Sequence, residues 1–131
     1  MGSIFSFAAD EFPSDAELRE LWQAAWGASP AGFQPSLKAC LGHITARHND
    51  RLAGFAKVAG DGALHAFLLD PTVHPDFRRR GLGKELVSRA AALAAERGAH
   101  WLHVDFESAL KPFYDACGFA DTEAGLMRLQ S

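Results

Sequence analysis

The chain has only two cysteines, Cys40 and Cys117, and a single tyrosine, Tyr114, in 131 residues. The two thiols make no metal-type spacing and are too few for a disulfide scaffold. Two ordinary reduced thiols point to a reducing, cytoplasmic setting. No apolar run approaches the roughly 18–20 residues that a membrane-spanning helix needs, so no membrane partner is expected. The start, Met1-Gly2-Ser3-Ile4-Phe5, lacks the basic head, long apolar middle and cleavage site of a signal peptide. Cations are not in excess either. Thirteen Lys and Arg against sixteen Asp and Glu give a net charge of −3, which disfavours a general affinity for nucleic acid. There is no internal repeat, low-complexity tract or linker.

What is present describes one globular domain over residues 1–131. Hydrophobic residues make up 48% and charged residues 22%, enough for a single core. Ile4-Phe5-Ser6-Phe7 reads as a short first strand. Ser14 and Glu17 form a capping box, and Leu18, Leu21, Trp22 and Ala25 follow at helical spacing, up to a stop at 27–32. Phe33 to Lys38 is ambiguous, with a short helix as one reading. Cys40 to His48 and Arg51 to Ala59 read as a hairpin turning at Asn49-Asp50. Ala63 to Leu69 is apolar at nearly every position, the pattern of a central strand covered on both faces. From Leu82 the period becomes helical, with Leu86, Ala90, Leu93 and Ala94 on one face and a stop at Gly98. Trp101 to Phe106 reads as a strand and Leu110 to Cys117 as a short helix. Phe119 and Gly125 to Leu129 supply one or two last strands. The fold class is therefore α/β (α+β). The expected sheet is mixed, with an antiparallel N-terminal meander, a later parallel β-α-β pair and helices on its faces.

The densest chemistry lies at Val73-His74-Pro75-Asp76-Phe77-Arg78-Arg79-Arg80-Gly81-Leu82-Gly83-Lys84. A strand end, an Arg/Gly loop and a helix start meet here. Such a junction offers unpartnered backbone N–H groups, the positive end of a helix dipole and several cations. It suits an anionic ligand, most simply a pyrophosphate, and glycine allows close approach. The spacing alone also fits a Gly-containing turn with exposed arginines. It is neither a P-loop nor GxGxxG.

A second group follows, Leu110-Lys111-Pro112-Phe113-Tyr114-Asp115-Ala116-Cys117-Gly118-Phe119. With the first, it resembles the GNAT superfamily, the acetyl-CoA-dependent N-acetyltransferases, over about Leu64 to Phe119. Val73-x-Pro75-x-x-Arg78-x-x-Gly81-x-Gly83 matches the family's acyl-CoA loop. Phe113-Tyr114-x-x-x-Gly118-Phe119 matches its F-Y-x-x-x-G-F signature. The resemblance implies a sheet of six to seven strands with two splayed parallel central strands, Leu64–Val73 and Trp101–Phe106. It implies acetyl-CoA, or coenzyme A after transfer, as cofactor. The pyrophosphate would lie on the amides of Arg79, Arg80, Gly81, Leu82, Gly83 and Lys84, with Arg78 adding charge. The pantetheine arm would run beside Thr72 and Val73, and Phe113 would back it. The Val73 N–H would polarise the thioester carbonyl as an oxyanion donor, while Tyr114 would protonate the leaving thiolate. The N-terminal half, which shapes the acceptor site, matches only in pattern.

A base that leaves the amine neutral is not fixed by any motif. Asp70 and Glu107 are the candidates at the cleft, with His65, His103 and Asp105 behind them. Relatives often carry Asn where Glu107 stands and Ala where Leu110 stands, which gives Glu107 an acceptor-binding role as its alternative. Tyr114 has the alternative of merely packing its helix. Phe113 and Phe119 read as core, Cys117 as packed, and Trp22 and Trp26 as core or cleft wall. The histidines are dispersed, and His100 and His103 would point to opposite faces of a strand, so no metal site is expected. The leading function is direct acetyl transfer to a primary amine. A non-catalytic acyl-CoA sensor or interaction module is the alternative. The oligomeric state stays open, a homodimer being common among relatives.

Overall fold

A computed structural model describes residues 4–130; Met1 to Ser3, where the signal-peptide reading begins, lie outside the described residues. The first helix, α1 (Asp15–Trp26), begins as its capping box requires. Ser14 Oγ accepts from the Glu17 N–H at 3.1 Å, and Glu17 Oε1 accepts from the Ser14 N–H at 3.3 Å. Gly27 closes it in the left-handed region at φ 79. The ambiguous segment after it is helical, α2 (Gln34–Ala39).

Strands β1 (Ser6–Ala9), β2 (Gly42–His48), β3 (Arg51–Gly60) and β4 (His65–Val73) form the antiparallel meander. The β2–β3 turn places Asn49 at φ 54, a backbone that asparagine tolerates. After β4 come a short 3-10 turn, Pro75–Phe77, then helix α3 (Leu82–Glu96), strand β5 (Trp101–His103) and helix α4 (Lys111–Ala116). The sheet order is β1-β2-β3-β4-β5, and β5 runs parallel to β4.

Both faces of the sheet carry helices. On one, the α3 stripe of Leu82, Leu86, Ala90, Leu93 and Ala94 is buried against Ile44, Ala53, Val58, Ala66 and Leu68, and α4 joins through Tyr114. On the other, Leu18 and Leu21 of α1 and Leu37 of α2 enclose Leu52 and Phe55. Arg97, just past α3, is bonded to Asp10 and to the Leu41 carbonyl, which ties the helix end to the meander. That contact holds the Asp10 carboxyl below its usual range, against the opposing effect of burial.

Three expectations are corrected. Strand β4 is not covered on both faces. Ala66 and Leu68 are buried under α3, whereas Phe67 and Leu69 on the opposite face are exposed: α1 and α2 pack on Leu52 and Phe55 of β3, and α1 meets β4 at Thr72 through Trp26. The sheet has five strands among the described residues, not six to seven, so the parallel pair lies at its edge. Residues 118–130 form no strand. Lys111 Nζ bonds Asp121 at 2.9 Å, holding the start of that segment to α4 rather than beside β5. Leu126, Met127 and Leu129 beyond it are exposed and find no face to pack on. Finally, β5 ends at His103, three residues short of Phe106.

Candidate functional site

The Arg/Gly loop is built around a buried pin. His74 Nδ1 accepts from the Asp76 N–H at 3.1 Å and caps the 3-10 turn. This sends Phe77 into the core against Phe5 and His48, with Arg51 and Arg80 over its ring. Arg79 at φ 63 and Gly81 at φ 76 then reverse the chain into α3. Gly81 occupies the N-cap and has no side chain to bond the first-turn N–H groups, which leaves them available to an anion. Arg78, Arg79, Arg80 and Lys84 are exposed around them, and none takes a carboxylate partner among the described residues.

The two glycines serve different needs. Gly81 supplies the left-handed backbone, and a Cβ there would meet nothing within 4 Å. Gly83 supplies closeness. Its Cβ would lie 3.4 Å from the Phe113 ring and 3.7 Å from Val73 Cγ2. The helix start, the strand end and α4 therefore meet at Gly83, with Leu82 buried beneath.

The strand end is open on one side. Val73 pairs with Gly54 of β3, and the His74 N–H donates to the Ala53 carbonyl at 2.8 Å. Strand alternation turns the Val73 N–H to the opposite edge. There β5 has already parted from β4, since their pairing ends at Phe67 with His103. Thr72 is buried, and its hydroxyl lies between the Trp26 indole and the Asp70 carbonyl.

Tyr114 closes the far wall. It stacks on Phe106 with centroids 4.6 Å apart and meets Phe113 and Phe119 edge-on. Burial pushes its phenol above the usual value, and Cys117 and Asp105 add to the effect, so the group stays protonated. Burial also raises the Cys117 thiol, against a smaller opposing effect of Lys84, which disfavours the thiolate that a nucleophile requires. A groove of about 380 Å³ runs from Lys84 past Ser88 and Leu102 to Cys117 and Phe119.

The structure thus brings Val73, Gly83, Phe113 and Tyr114 together, with Arg78 to Lys84 at the entrance. Asp70 is drawn elsewhere. It sits in the left-handed region at φ 51, and its carboxylate pairs with Lys57 at 3.2 Å. Lys57 in turn donates to Ser36 of α2 at 2.6 Å. Glu107 is exposed at the start of the turn before α4, and its carboxylate has no partner among the described residues. His65 and His103 bond each other at 2.8 Å. Because His65 opens β4, they lie about 25 Å along the strand from Val73, too far to act there. Among the described residues, no group of three or more His, Cys, Asp or Glu is placed to hold a metal, and no helix is long and apolar enough to cross a membrane. The Lys57–Asp70 pair and the Trp26–Thr72 bond went unread in the sequence, because no local spacing announces contacts made across strands.

The family model described as "Acetyltransferase (GNAT) family" matches residues 3–119. Among curated relatives, GCN5-related N-acetyltransferase 3, chloroplastic, of Arabidopsis thaliana is 34% identical over 77 residues, 59% of this chain and 32% of the relative. The chain thus spans about a third of that protein's length. A GNAT family acetyltransferase from Streptococcus pneumoniae superposes with a TM-score of 0.80 at 22% identity, over 96% of this chain and 99% of that one. An aminoglycoside N-acetyltransferase, AAC(6')-Iy, solved in complex with CoA, gives 0.76 at 20% identity, over 99% and 97%.

Proposed function

The chain belongs to the acetyltransferase (GNAT) family, and on that premise we propose that it transfers an acetyl group from acetyl-CoA to a primary amine by direct attack. The observation that carries this reading is the meeting of Gly83, Val73 and the Phe113–Tyr114 pair at one strand opening. Acetyl-CoA, as substrate, supplies an activated thioester and an anionic pyrophosphate. The residues fit it. Gly81 and Gly83 leave a bare helix start where the phosphates need N–H donors, and Arg78, Arg79, Arg80 and Lys84 surround that start. Thr72 and Val73 offer the strand edge to the pantetheine arm, backed by Phe113 and Leu82.

The Val73 N–H serves as the donor to the carbonyl oxygen, a contribution typically worth about 3 kcal/mol of barrier. Tyr114, kept neutral by burial, donates its proton to the departing thiolate, whose conjugate thiol has a pKa of about 8.5. Of the two candidate carboxylates, Glu107 is the better base. Its charge is unpaired, whereas that of Asp70 is engaged by Lys57. The ammonium loses one proton to Glu107, directly or through water, and the freed lone pair forms the C–N bond as the C–S bond breaks. The second proton leaves the nitrogen as the amide forms and restores the Tyr114 phenol, so sulfur gains one proton and Glu107 keeps the other. With its thiol held protonated, Cys117 takes no part.

The test is thiol release from acetyl-CoA against a library of primary amines, read beside calorimetric binding of acetyl-CoA. The expected result is amine-dependent release with ternary-complex kinetics. Tight binding with no release for any amine would make the chain a sensor. Ping-pong kinetics abolished by Cys117→Ala would overturn direct transfer.

A further inference from the structure

Trp26 ends α1, and its side chain is 58% exposed. Burial of apolar surface therefore does not explain why a tryptophan stands there. A hydrogen bond does. The Trp26 indole N–H donates to Thr72 Oγ1 at 3.2 Å, across 46 residues of sequence. The Thr72 hydroxyl has a single proton, and the indole is a donor only, so the Thr72 oxygen must accept from Trp26 and spend its own proton elsewhere. That proton goes to the Asp70 carbonyl at 2.8 Å.

The carbonyl is within reach because Asp70 lies in the left-handed region at φ 51, where the β3–β4 register slips between Phe55 and Lys57. Lys57 holds the Asp70 carboxylate at 3.2 Å and so holds this bulge. Thr72 itself is 1% exposed. Its side chain is thus tied to a helix on one side and to its own strand on the other, and its conformation sets the direction of the next peptide N–H, which is that of Val73.

We infer that Trp26, through Thr72 and the Asp70 bulge, is a positioning residue that fixes the Val73 N–H for its role as carbonyl donor. The inference rests on the acetyl-transfer reading above. The clamp acts without touching the reacting atoms. It adds a second hold on a donor at a strand end that is paired with β3 on one side and has lost β5 on the other.

Trp26→Phe keeps the ring and removes the N–H, and Thr72→Val keeps the shape and removes the hydroxyl. The experiment measures kcat and the KM for acetyl-CoA of each with the best amine from the library. Each variant is expected to lower kcat about 5- to 20-fold, with KM for acetyl-CoA changed less than about twofold. Thr72→Ser is expected to recover at least half of the rate lost in Thr72→Val. The double variant should be no slower than Thr72→Val, since both break one chain of bonds. An unchanged kcat in Trp26→Phe overturns the clamp, as does a rise in KM at constant kcat, which would make Trp26 a wall of the substrate site. Because Trp26 is exposed, this variant folds even if Thr72→Val does not. Turnover by the parent chain with an unaffected Trp26→Phe sinks the clamp alone, whereas no turnover by the parent with any amine sinks the acetyl-transfer reading and the clamp with it.

Discussion

Tyr114 carries the sharpest assignment at the scale of single residues, because packing and chemistry both make claims on it. It is 5% exposed and belongs to the main core cluster, yet it is a phenol among phenylalanines. Burial comes first among the causes that raise its pKa. The folded value therefore lies above the unfolded one of about 10, and the neutral form survives any pH below that. Two results follow for Tyr114→Phe. Turnover should fall about 10- to 100-fold while acetyl-CoA affinity stays within about twofold, since the ring and its stacking on Phe106 are kept. In the parent, the pH profile of kcat should show no descending limb from this group below about pH 10. A limb at lower pH that disappears in Tyr114→Phe would contradict the assignment, and unchanged turnover would reduce Tyr114 to packing.

Among the elements, α3 joins site and core. Its first turn faces the entrance, and the stripe below it seals the sheet. Leu86 is fully buried there, and Leu86→Ala should cost about 2–5 kcal/mol by lost transfer and cavity formation, read as a shift in the denaturant midpoint. A loss below about 1 kcal/mol would mean that α3 packs elsewhere. This helix was legible in the sequence because its 3.6-residue period is long and uninterrupted. Capping likewise announced α1. Strand β4 was legible in position but not in environment. Phe67 and Leu69 make its apolar run look doubly covered, although they stand exposed on its second face. The last segment was misread because Gly125 to Leu129 is apolar enough for a strand, while the tether that holds its start on α4, Lys111 to Asp121, is a tertiary contact.

The molecule as a whole divides along its sheet. The α3 and α4 face holds the loop, the groove and Tyr114, and the loop and Tyr114 announced themselves through short-range motifs. The α1 and α2 face holds Trp26, Lys57 and Asp70, which meet only through tertiary contacts. No spacing in the chain could reveal them, which is why the Arg/Gly loop and the α4 motif were readable in the sequence and the contacts on the α1 and α2 face were not. The central claim is that the helix start at Gly81 to Lys84 receives the pyrophosphate of acetyl-CoA. Gly83→Asp tests it most directly, since the new carboxylate would stand where a Cβ already meets Phe113 at 3.4 Å and beside the proposed anion site. Calorimetric titration of acetyl-CoA into the parent and the variant, with a thermal melt to confirm that both fold, should give one site per chain in the parent and affinity at least about 100-fold weaker in folded Gly83→Asp. Equal affinity in the two, or no binding to the parent, would contradict it.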